Sequence, residues 1–183
     1  MRNDENQPPP TGPALRTPYS ALAIVSLGSN LGDSRQIILD AMTQLQSLSD
    51  QPILKSSLWQ TSPVDCPPGS PPFVNAVVGL APRAGETPES LLAQLQAIEK
   101  RFGRLPKKAL NEPRPLDLDL IAFGTEKRGT KELTLPHPRA HLRRFVLQPL
   151  AEIAPGLILP GQTRTVARLL RESPADETLR KLD

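Results

Sequence analysis

The sequence predicts an α+β fold, a sandwich in which helices pack on a mainly antiparallel sheet. Apolar runs suited to buried strands alternate with two segments whose apolar residues recur at helical spacing. The order along the chain is strand, helix, strand, strand, helix, strand, which is the order of the ferredoxin-like split β-α-β fold. A chain of 183 residues is long enough for one domain with a sizeable core.

The first three elements follow from apolar content and helix start signals. Residues 21–27 form an apolar run that ends at Gly28, which predicts a buried first strand. The helix that follows is predicted to begin with Asp33 or Ser34 as its N-cap. Residues 53–59 are predicted to form the second strand.

The next elements are separated by strong loop and helix signals. Residues 62–72 are rich in proline, which fixes φ and removes a backbone donor, so they are predicted to be a loop. Residues 73–80 are predicted to form the third strand. Thr87 and Pro88 have the pattern of an N-cap and a first helical position, and the helix is predicted to end near Gly103.

The fourth strand, predicted at residues 116–123, carries two acidic residues. Side chains alternate across a strand, so Asp117 and Asp119 point to the same face. Two like charges about 7 Å apart on a half-buried sheet repel unless a cation joins them. Mg²⁺ takes such oxygens and usually arrives with substrate phosphates, to which Arg114 could bind. The alternative is an edge strand with two solvated aspartates, and the spacing alone favours neither.

The ends of the chain differ from its middle. Residues 1–19 hold five of the 22 prolines and few apolar residues, so they are predicted to be a disordered extension. Residues 20–172 are predicted to be the folded domain, and residues 173–183 a C-terminal tail. Within the domain, residues 124–133 are predicted to form a small hairpin and residues 165–171 a helix.

Charge and cysteine content limit the class of partner and the compartment. The net charge of +3 and the pI of about 9.3 suit an anionic small substrate and fall short of the balance typical of nucleic-acid-binding proteins. The single cysteine, Cys66, excludes an internal disulfide and favours a reducing compartment. No apolar run approaches membrane-spanning length, and the N-terminus has no hydrophobic signal core. We therefore expect a cytoplasmic protein without membrane or nucleic-acid partners.

Several further motifs each allow two interpretations. Residues 28–32 have the composition of a turn that cradles phosphate, although such turns more often only connect a strand to a helix. Phe73 and Asn75 share one strand face, which suits a flat heterocycle, but a core phenylalanine and a turn-facing asparagine explain them equally well. Residues 143–145, two arginines and a phenylalanine, either hold an anion beside a ring or form a solvated face. His137 lies in a predicted loop between prolines, where a histidine is more often solvated than functional.

Taken together, these motifs resemble the 6-hydroxymethyl-7,8-dihydropterin pyrophosphokinase family of folate biosynthesis. The resemblance runs from about residue 23 to residue 160. It rests on five ordered motifs, at residues 27–32, 61–64, 73–76, 113–119 and 135–147. The fold of that family is the ferredoxin-like sandwich that the order of elements predicts independently.

The resemblance implies transfer of pyrophosphate from ATP to the hydroxymethyl group of the pterin, which leaves AMP. It implies two Mg²⁺ ions that neutralise the triphosphate and are held by Asp117 and Asp119. The residues expected to be catalytic are Asp117, Asp119, Arg104 and Arg114. The residues expected to bind ATP are Leu92, Glu99, Arg104, Arg114, Leu120, Thr134, His137 and Arg143. The residues expected to bind the pterin are Thr61, Ser62, Val64, Phe73, Asn75, Asp117 and Phe145, with the two phenylalanine rings on either side of it. The enzyme is expected to be a monomer.

The loop before the aspartate strand departs from the commoner family pattern. Many members carry two arginines and a tryptophan between the positions that match Arg104 and Arg114. In this chain those three positions are occupied by Pro106, Leu110 and Asn111. Lys107 and Lys108 are expected to supply part of the missing charge, without the bidentate geometry of arginine.

Two rival hypotheses share the predicted fold. One is a catalytically weak binder of pterin or nucleotide, which an assay of AMP release would distinguish from the enzyme. The other is an RNA-binding sheet, since RNA-recognition domains have the same order of elements. Such sheets need exposed aromatic residues for base stacking. This chain has only one tryptophan, one tyrosine and four phenylalanines, and two aspartates on a candidate central strand would repel phosphate.

Overall fold

A computed structural model of the chain describes residues 18–63, 66–105, 112–175 and 178–182. Residues 1–17 of the predicted extension lie outside the described residues. So do Val64 of the predicted pterin site and residues 106–111, which include the two lysines of the predicted loop.

One antiparallel sheet runs through the fold. The strands of the chain are β1 (Ala23–Ser29), β2 (Leu54–Lys55), β3 (Trp59–Thr61), β4 (Phe73–Leu80), β5 (Asp117–Phe123), β6 (Arg128–Gly129), β7 (Thr134–Leu135) and β8 (Arg180–Lys181). The main sheet has the order β5-β1-β4-β3-β8, and β2 also pairs with β4. Strands β6 and β7 pair with each other, which places the predicted hairpin slightly later in the chain than expected.

Four helices accompany the sheet. They are α1 (Ser34–Gln46), α2 (Pro88–Arg101), α3 (Arg144–Ile153) and α4 (Val166–Glu172). Two short 3₁₀ turns lie at Tyr19–Ala21 and Ala140–Leu142. If β2 and β3 are counted as one strand, the sheet has the order fourth, first, third, second, which is the ferredoxin-like arrangement. The predicted α+β sandwich is therefore confirmed.

The predicted helix starts are also confirmed. The Asp33 side chain accepts a hydrogen bond from the Gln36 backbone N–H at 3.1 Å, which makes Asp33 the N-cap of α1. Thr87 caps α2 through a reciprocal pair of bonds with Ser90. After α2 the chain reverses at Gly103, whose φ of +84° is a conformation that favours glycine.

The predicted second strand differs from the structure, because residues 53–59 are divided into β2 and the start of β3. Ser56, between the two strands, interrupts the ladder. Its backbone N–H donates to the Val77 carbonyl at 3.0 Å, and its hydroxyl accepts from the Val77 N–H at 2.9 Å. A side chain thus takes the place of one backbone acceptor, an arrangement that apolar content alone does not indicate.

The two faces of the sheet are covered differently. Helices α1 and α2 pack over one face, with Leu27, Leu45 and Leu95 among the fully buried residues of that core. Helices α3 and α4 pack over part of the other face, where Ile24 and Val77 belong to a second core. The rest of this second face is left without a helical cover, and the candidate site lies there.

The C-terminal residues take part in the sheet. Strand β8 pairs with β3, where Lys181 lies opposite Trp59, and Leu182 packs against the core under α1 and α2. These residues belong to the predicted tail. None of the helices in the described part of the chain has the length and apolar character needed to cross a lipid bilayer.

Candidate active site

Three neighbouring strands bring polar residues together on the uncovered face. Gly28 on β1 lies opposite Asn75 on β4 and opposite Asp117 on β5. One step further along the same face, Ser26 lies opposite Asp119. Since paired residues of antiparallel strands point to the same face, the sheet presents the amide and the two carboxylates side by side.

This part of the sheet forms the floor of a cavity of about 600 Å³, a size typical of sites for small molecules. Most of the residues predicted for the site line the cavity: Thr61, Ser62, Phe73, Asn75, Arg104, Arg114, Asp117, Asp119, His137, Arg143 and Phe145. The structure therefore brings together residues from five separate sequence motifs.

Gly28 keeps the centre of the floor open. A Cβ atom at this position would lie 3.5 Å from Oδ1 of Asn75, 3.7 Å from the Phe73 ring and 3.9 Å from Cβ of Asp117. The Asn75 amide is oriented by Thr61, whose hydroxyl accepts a hydrogen bond from Nδ2 at 2.8 Å. A flat ligand above Gly28 would therefore meet Oδ1 of Asn75 as a hydrogen-bond acceptor.

Both carboxylate oxygens of Asp117 are bound by arginines. Arg104 donates to Oδ1 and Arg114 donates to Oδ2, each at 2.5 Å. Arg104 also donates to the buried Glu99, which accepts a second bond from the Leu118 N–H at 2.7 Å. Glu99, Arg104, Asp117 and Arg114 thus form one continuous charge network along β5.

Local structure positions both arginines. Arg104 follows the reversal at Gly103, and its N–H donates to the Glu99 carbonyl at 3.1 Å. Arg114 is held by the buried Asn30, whose Oδ1 accepts from the Arg114 N–H at 2.9 Å and whose N–H donates to the Arg114 carbonyl at 3.2 Å. The turn at residues 28–32, considered as a phosphate cradle, therefore serves to hold Arg114, and among the described lining residues it contributes Gly28.

Burial and charge shift the pKa values of the acidic residues. Burial raises the pKa of Asp119, and the neighbouring charge of Asp117 raises it further. Burial also raises the pKa of Glu99. Burial lowers the pKa of Arg104, but the carboxylates of Asp117 and Glu99 outweigh that effect and raise it overall. Ionised Asp119, which lies beside this network, is therefore costly without a further cation.

Two further contacts in the cavity join arginines to aromatic rings. Arg114 and Arg143 lie over the Phe73 and Phe145 rings, with Cζ 5.4 Å and 5.5 Å from the ring centroids, which is cation–π distance. Burial, and then the charges of Arg143 and Arg139, lower the pKa of His137.

His137 is oriented by its own loop. Its Nδ1 accepts a hydrogen bond from the Arg139 backbone N–H at 3.2 Å. The neutral ring therefore carries its proton on Nε2, as a donor.

Four residues predicted to bind ATP lie outside the cavity lining. Leu120 is buried in the core beneath α2, and Leu92 packs against that core. Thr134 is exposed on β7, and Glu99 reaches the site through Arg104. Their contacts with ATP stay predictions.

Sequence reasoning missed part of the cavity wall. The lining residues outside the predicted set are Ser26, Leu27, Gly28, Cys66, Arg139, Leu142, Arg144, Ser173, Pro174 and Ala175. Arg139 lies two residues after His137 and could have been found from that motif. The three residues after α4 carry no chemical signal, because serine, proline and alanine are ordinary loop residues.

The acidic residues fit one kind of metal site. Within the described residues, no group of three or more His, Cys, Asp or Glu side chains gathers in a way that could hold an ion. Asp117 and Asp119 instead offer two hard oxygen donors on one face. Such a pair fits Mg²⁺, which keeps several waters and takes its other ligands from substrate phosphates.

Comparisons with known proteins agree on one family. The family model of 7,8-dihydro-6-hydroxymethylpterin-pyrophosphokinase (HPPK) matches residues 24–155. A 2-amino-4-hydroxy-6-hydroxymethyldihydropteridine pyrophosphokinase from Synechocystis is 37% identical over 150 residues, which cover 82% of this chain and 75% of the relative. The protein of the same name from Haemophilus influenzae is 34% identical over 161 residues, which cover 88% of this chain and 98% of the relative.

Solved structures extend the likeness to the fold. Wild-type HPPK-DHPS of Plasmodium falciparum with pteroate aligns with a TM-score of 0.65 and 13% sequence identity. The alignment covers 87% of this chain and 47% of that one, so this chain spans about half the length of the larger protein. At 13% sequence identity, this structural likeness shows that the two proteins share a fold.

We expect Asp119→Asn to raise the melting temperature when divalent cations are absent, and the gain to grow between about pH 4 and about pH 7. The pKa of Asp119 is raised in the folded chain, so ionisation favours the unfolded chain. Wild-type stability therefore falls as the pH rises from the unfolded pKa of Asp119 through its higher folded pKa, and an amide does not have this penalty.

Thermal melts at the two pH values measure this difference. Asp40→Asn, at an exposed position on α1, is the matched control and should show little change. A lower melting temperature for Asp119→Asn at neutral pH, or a gain that does not depend on pH, would contradict the inference that the nearby arginines only partly compensate the charge of Asp119.

Proposed function

We propose that this chain, which belongs to the 7,8-dihydro-6-hydroxymethylpterin-pyrophosphokinase (HPPK) family, uses the cavity on its sheet to transfer pyrophosphate from ATP to 6-hydroxymethyl-7,8-dihydropterin in folate biosynthesis. The hydroxymethyl oxygen forms a bond to the β-phosphorus of ATP and loses its proton. The bond between the β-phosphorus and the oxygen of the leaving AMP breaks. The products are AMP and the pterin diphosphate.

One observation carries the assignment of this chemistry to the cavity. Two carboxylates stand beside three arginines, Arg104, Arg114 and Arg143, around one open floor. A triphosphate needs cationic groups for its oxygens, and a bound metal ion needs the carboxylates. The joint presence of both on one sheet face is what transfer of a phosphoryl group from Mg·ATP requires.

Asp117 and Asp119 are proposed to hold Mg²⁺. When bound, the ion supplies charge neutralisation of the triphosphate and polarises the phosphoryl group that is transferred. Arg104 and Arg114 balance Asp117 in the described structure. Once a cation other than these arginines neutralises the Asp117 carboxylate, both arginines can bind phosphate oxygens instead.

Arg114 has a further N–H donor that could bind a phosphate oxygen. Its Nε–H is buried and has no hydrogen-bond partner in the described part of the chain. A buried donor without a partner costs free energy, about 1–3 kcal/mol, which a phosphate oxygen would recover. His137 adds an Nε2–H donor on the same side, and Arg143 a further cation.

The pterin is proposed to lie above Gly28, between the rings of Phe73 and Phe145. Asn75 offers Oδ1 to the N–H groups at the edge of the heterocycle, because its Nδ2 is bound to Thr61. Because Oδ1 can only accept hydrogen bonds, Asn75 would favour heterocycles that carry N–H donors at this edge. Arg114 and Arg143 lie over the two rings in the described structure and would leave those faces to the pterin.

The remaining proposals follow from the family resemblance. Leu92, Leu120 and Thr134 are proposed to contact the adenosine, with Glu99 acting through Arg104. The enzyme is proposed to work as a monomer in the cytoplasm, in line with the single cysteine.

We expect Asp117→Ala and Asp119→Ala each to lower turnover by at least ~10²-fold while the domain stays folded. Each change removes one of the two oxygen donors proposed for Mg²⁺. The measurement is AMP formation from ATP, Mg²⁺ and the hydroxymethyl pterin. Asp40→Ala on α1 is the control and should keep wild-type activity. Near-normal AMP formation in either active-site variant would refute the proposed role of these carboxylates.

Gly28→Ala is expected to fold and to raise KM for the pterin roughly tenfold or more. The added Cβ meets its neighbours at ordinary contact distances of 3.5–3.9 Å, so the domain tolerates it, but the methyl group occupies the floor on which the ring would lie. Gly129→Ala, where a Cβ meets nothing within 4 Å, is the control. If KM for the pterin stays unchanged in a folded Gly28→Ala protein, the ring binds elsewhere.

A further inference from the structure

We propose that residues 173–175, named here the C-terminal wall, form one side of the pterin subsite and that Arg144 is the positioning residue that holds this wall in place. The proposal rests on the proposed function, since it assumes that the pterin lies between Phe73 and Phe145. The wall follows α4 and lies beyond residue 155, where the match to the family model ends. The match to the family model therefore does not extend to this part of the site.

The wall faces the same cavity as the pterin residues. Ser173, Pro174 and Ala175 line it together with Phe73 and Phe145. Pro174 and Ala175 are exposed, so they stand at the rim and not inside a packed core. Their side chains are small, and the space beside them belongs to the cavity.

Arg144 fixes the wall to the start of α3. Its Nη1 lies within hydrogen-bond distance of the Leu170 carbonyl (3.0 Å), the Ser173 carbonyl (3.2 Å), the Ser173 hydroxyl (2.8 Å) and the Pro174 carbonyl (3.3 Å). Arg144 itself lines the cavity and directly precedes Phe145. Arg144 thus links the position of the wall to the position of the Phe145 ring, which is proposed to contact the pterin.

Residues 178–182 anchor the chain beyond the wall. The Ser62 N–H donates to the Thr178 hydroxyl at 3.2 Å, and Ser62 belongs to the loop proposed to complete the pterin pocket. Strand β8 then pairs with β3, and the Leu182 N–H donates to the Leu58 carbonyl at 2.8 Å. The chain is therefore fixed on both sides of the wall, at Arg144 and at the sheet edge.

The order of the sheet separates the wall from the two aspartates that are proposed to hold Mg²⁺. Asp117 and Asp119 lie on β5, at one edge, whereas the anchor of the wall lies on β3 and β8, at the other. Strands β1 and β4 lie between them. A change in the wall should therefore affect the pterin and leave ATP binding almost unchanged.

The test compares two sets of variants in the full chain, each with its own control. Ala175→Leu enlarges an exposed residue of the wall, and Ala84→Leu makes the same change in the turn before α2, away from the cavity. Arg144→Ala and Arg144→Lys remove or weaken the anchor, and Arg171→Ala removes an exposed arginine that does not line the cavity. Titration calorimetry measures the Kd for the pterin in each variant.

We expect Ala175→Leu and Arg144→Ala to raise the Kd and KM for the pterin at least about fivefold, with the Kd for a non-hydrolysable ATP analogue, measured without the pterin, within about twofold of wild type. Arg144→Lys should recover part of the loss, because an ammonium group can reach some of the four oxygens but cannot match the guanidinium fork. Both control variants should bind the pterin like wild type. If Arg144→Ala fails to fold, Ala175→Leu still decides the question.

Two outcomes overturn the proposal: an unchanged pterin Kd in Ala175→Leu, or an equal rise in the Kd of the ATP analogue measured without the pterin. If only the proposal about the wall is wrong, wild type still forms AMP and Phe73→Ala still lowers the affinity for the pterin. A wild-type chain that neither binds the pterin nor forms AMP would refute the proposed function, and with it the wall.

Discussion

The charge balance around Asp117 and Asp119 is the constraint on which the site depends. Antiparallel pairing with β1 puts both carboxylates on one face, and partial burial makes their charge costly unless it is neutralised. Arg104 and Arg114 bind the two oxygens of Asp117, and Glu99 in turn balances Arg104. Asp119 keeps a raised pKa, so its ionised form is costly unless a further cation lies beside it. The helix end at Gly103 and the clamp of Asn30 on Arg114 serve this one network.

The same arginines connect the two substrate subsites. Arg114 is bound to Asp117 and also lies over Phe73, while Arg143 lies over Phe145. Under the proposed function, phosphates that attract these guanidinium groups would also clear the ring faces for the pterin. Binding of one substrate would then favour binding of the other through side chains that both subsites share, without a change in the sheet.

The sequence predicted the features that depend on local pattern. Alternation placed Asp117 and Asp119, and likewise Phe73 and Asn75, on shared faces, and the caps at Asp33 and Thr87 followed from helix chemistry. It did not predict contacts made between distant segments. The division of the strand at Ser56 depends on a hydroxyl that bonds to Val77, and the C-terminal wall depends on Arg144, which sequence alone leaves undecided between an anion site and a solvated face. The roles of Leu92, Leu120 and Thr134 need a nucleotide for their test.

The central claim is that the two aspartates bind the triphosphate only through a divalent ion. Calorimetric titration of a non-hydrolysable ATP analogue, with Mg²⁺ and with a chelator, tests it directly in wild type and in Asp119→Asn. Wild type is expected to lose at least about tenfold in affinity without Mg²⁺, while Asp119→Asn should show little dependence on the ion. Equal affinity of wild type with and without Mg²⁺, or the same dependence on Mg²⁺ in both proteins, would contradict it.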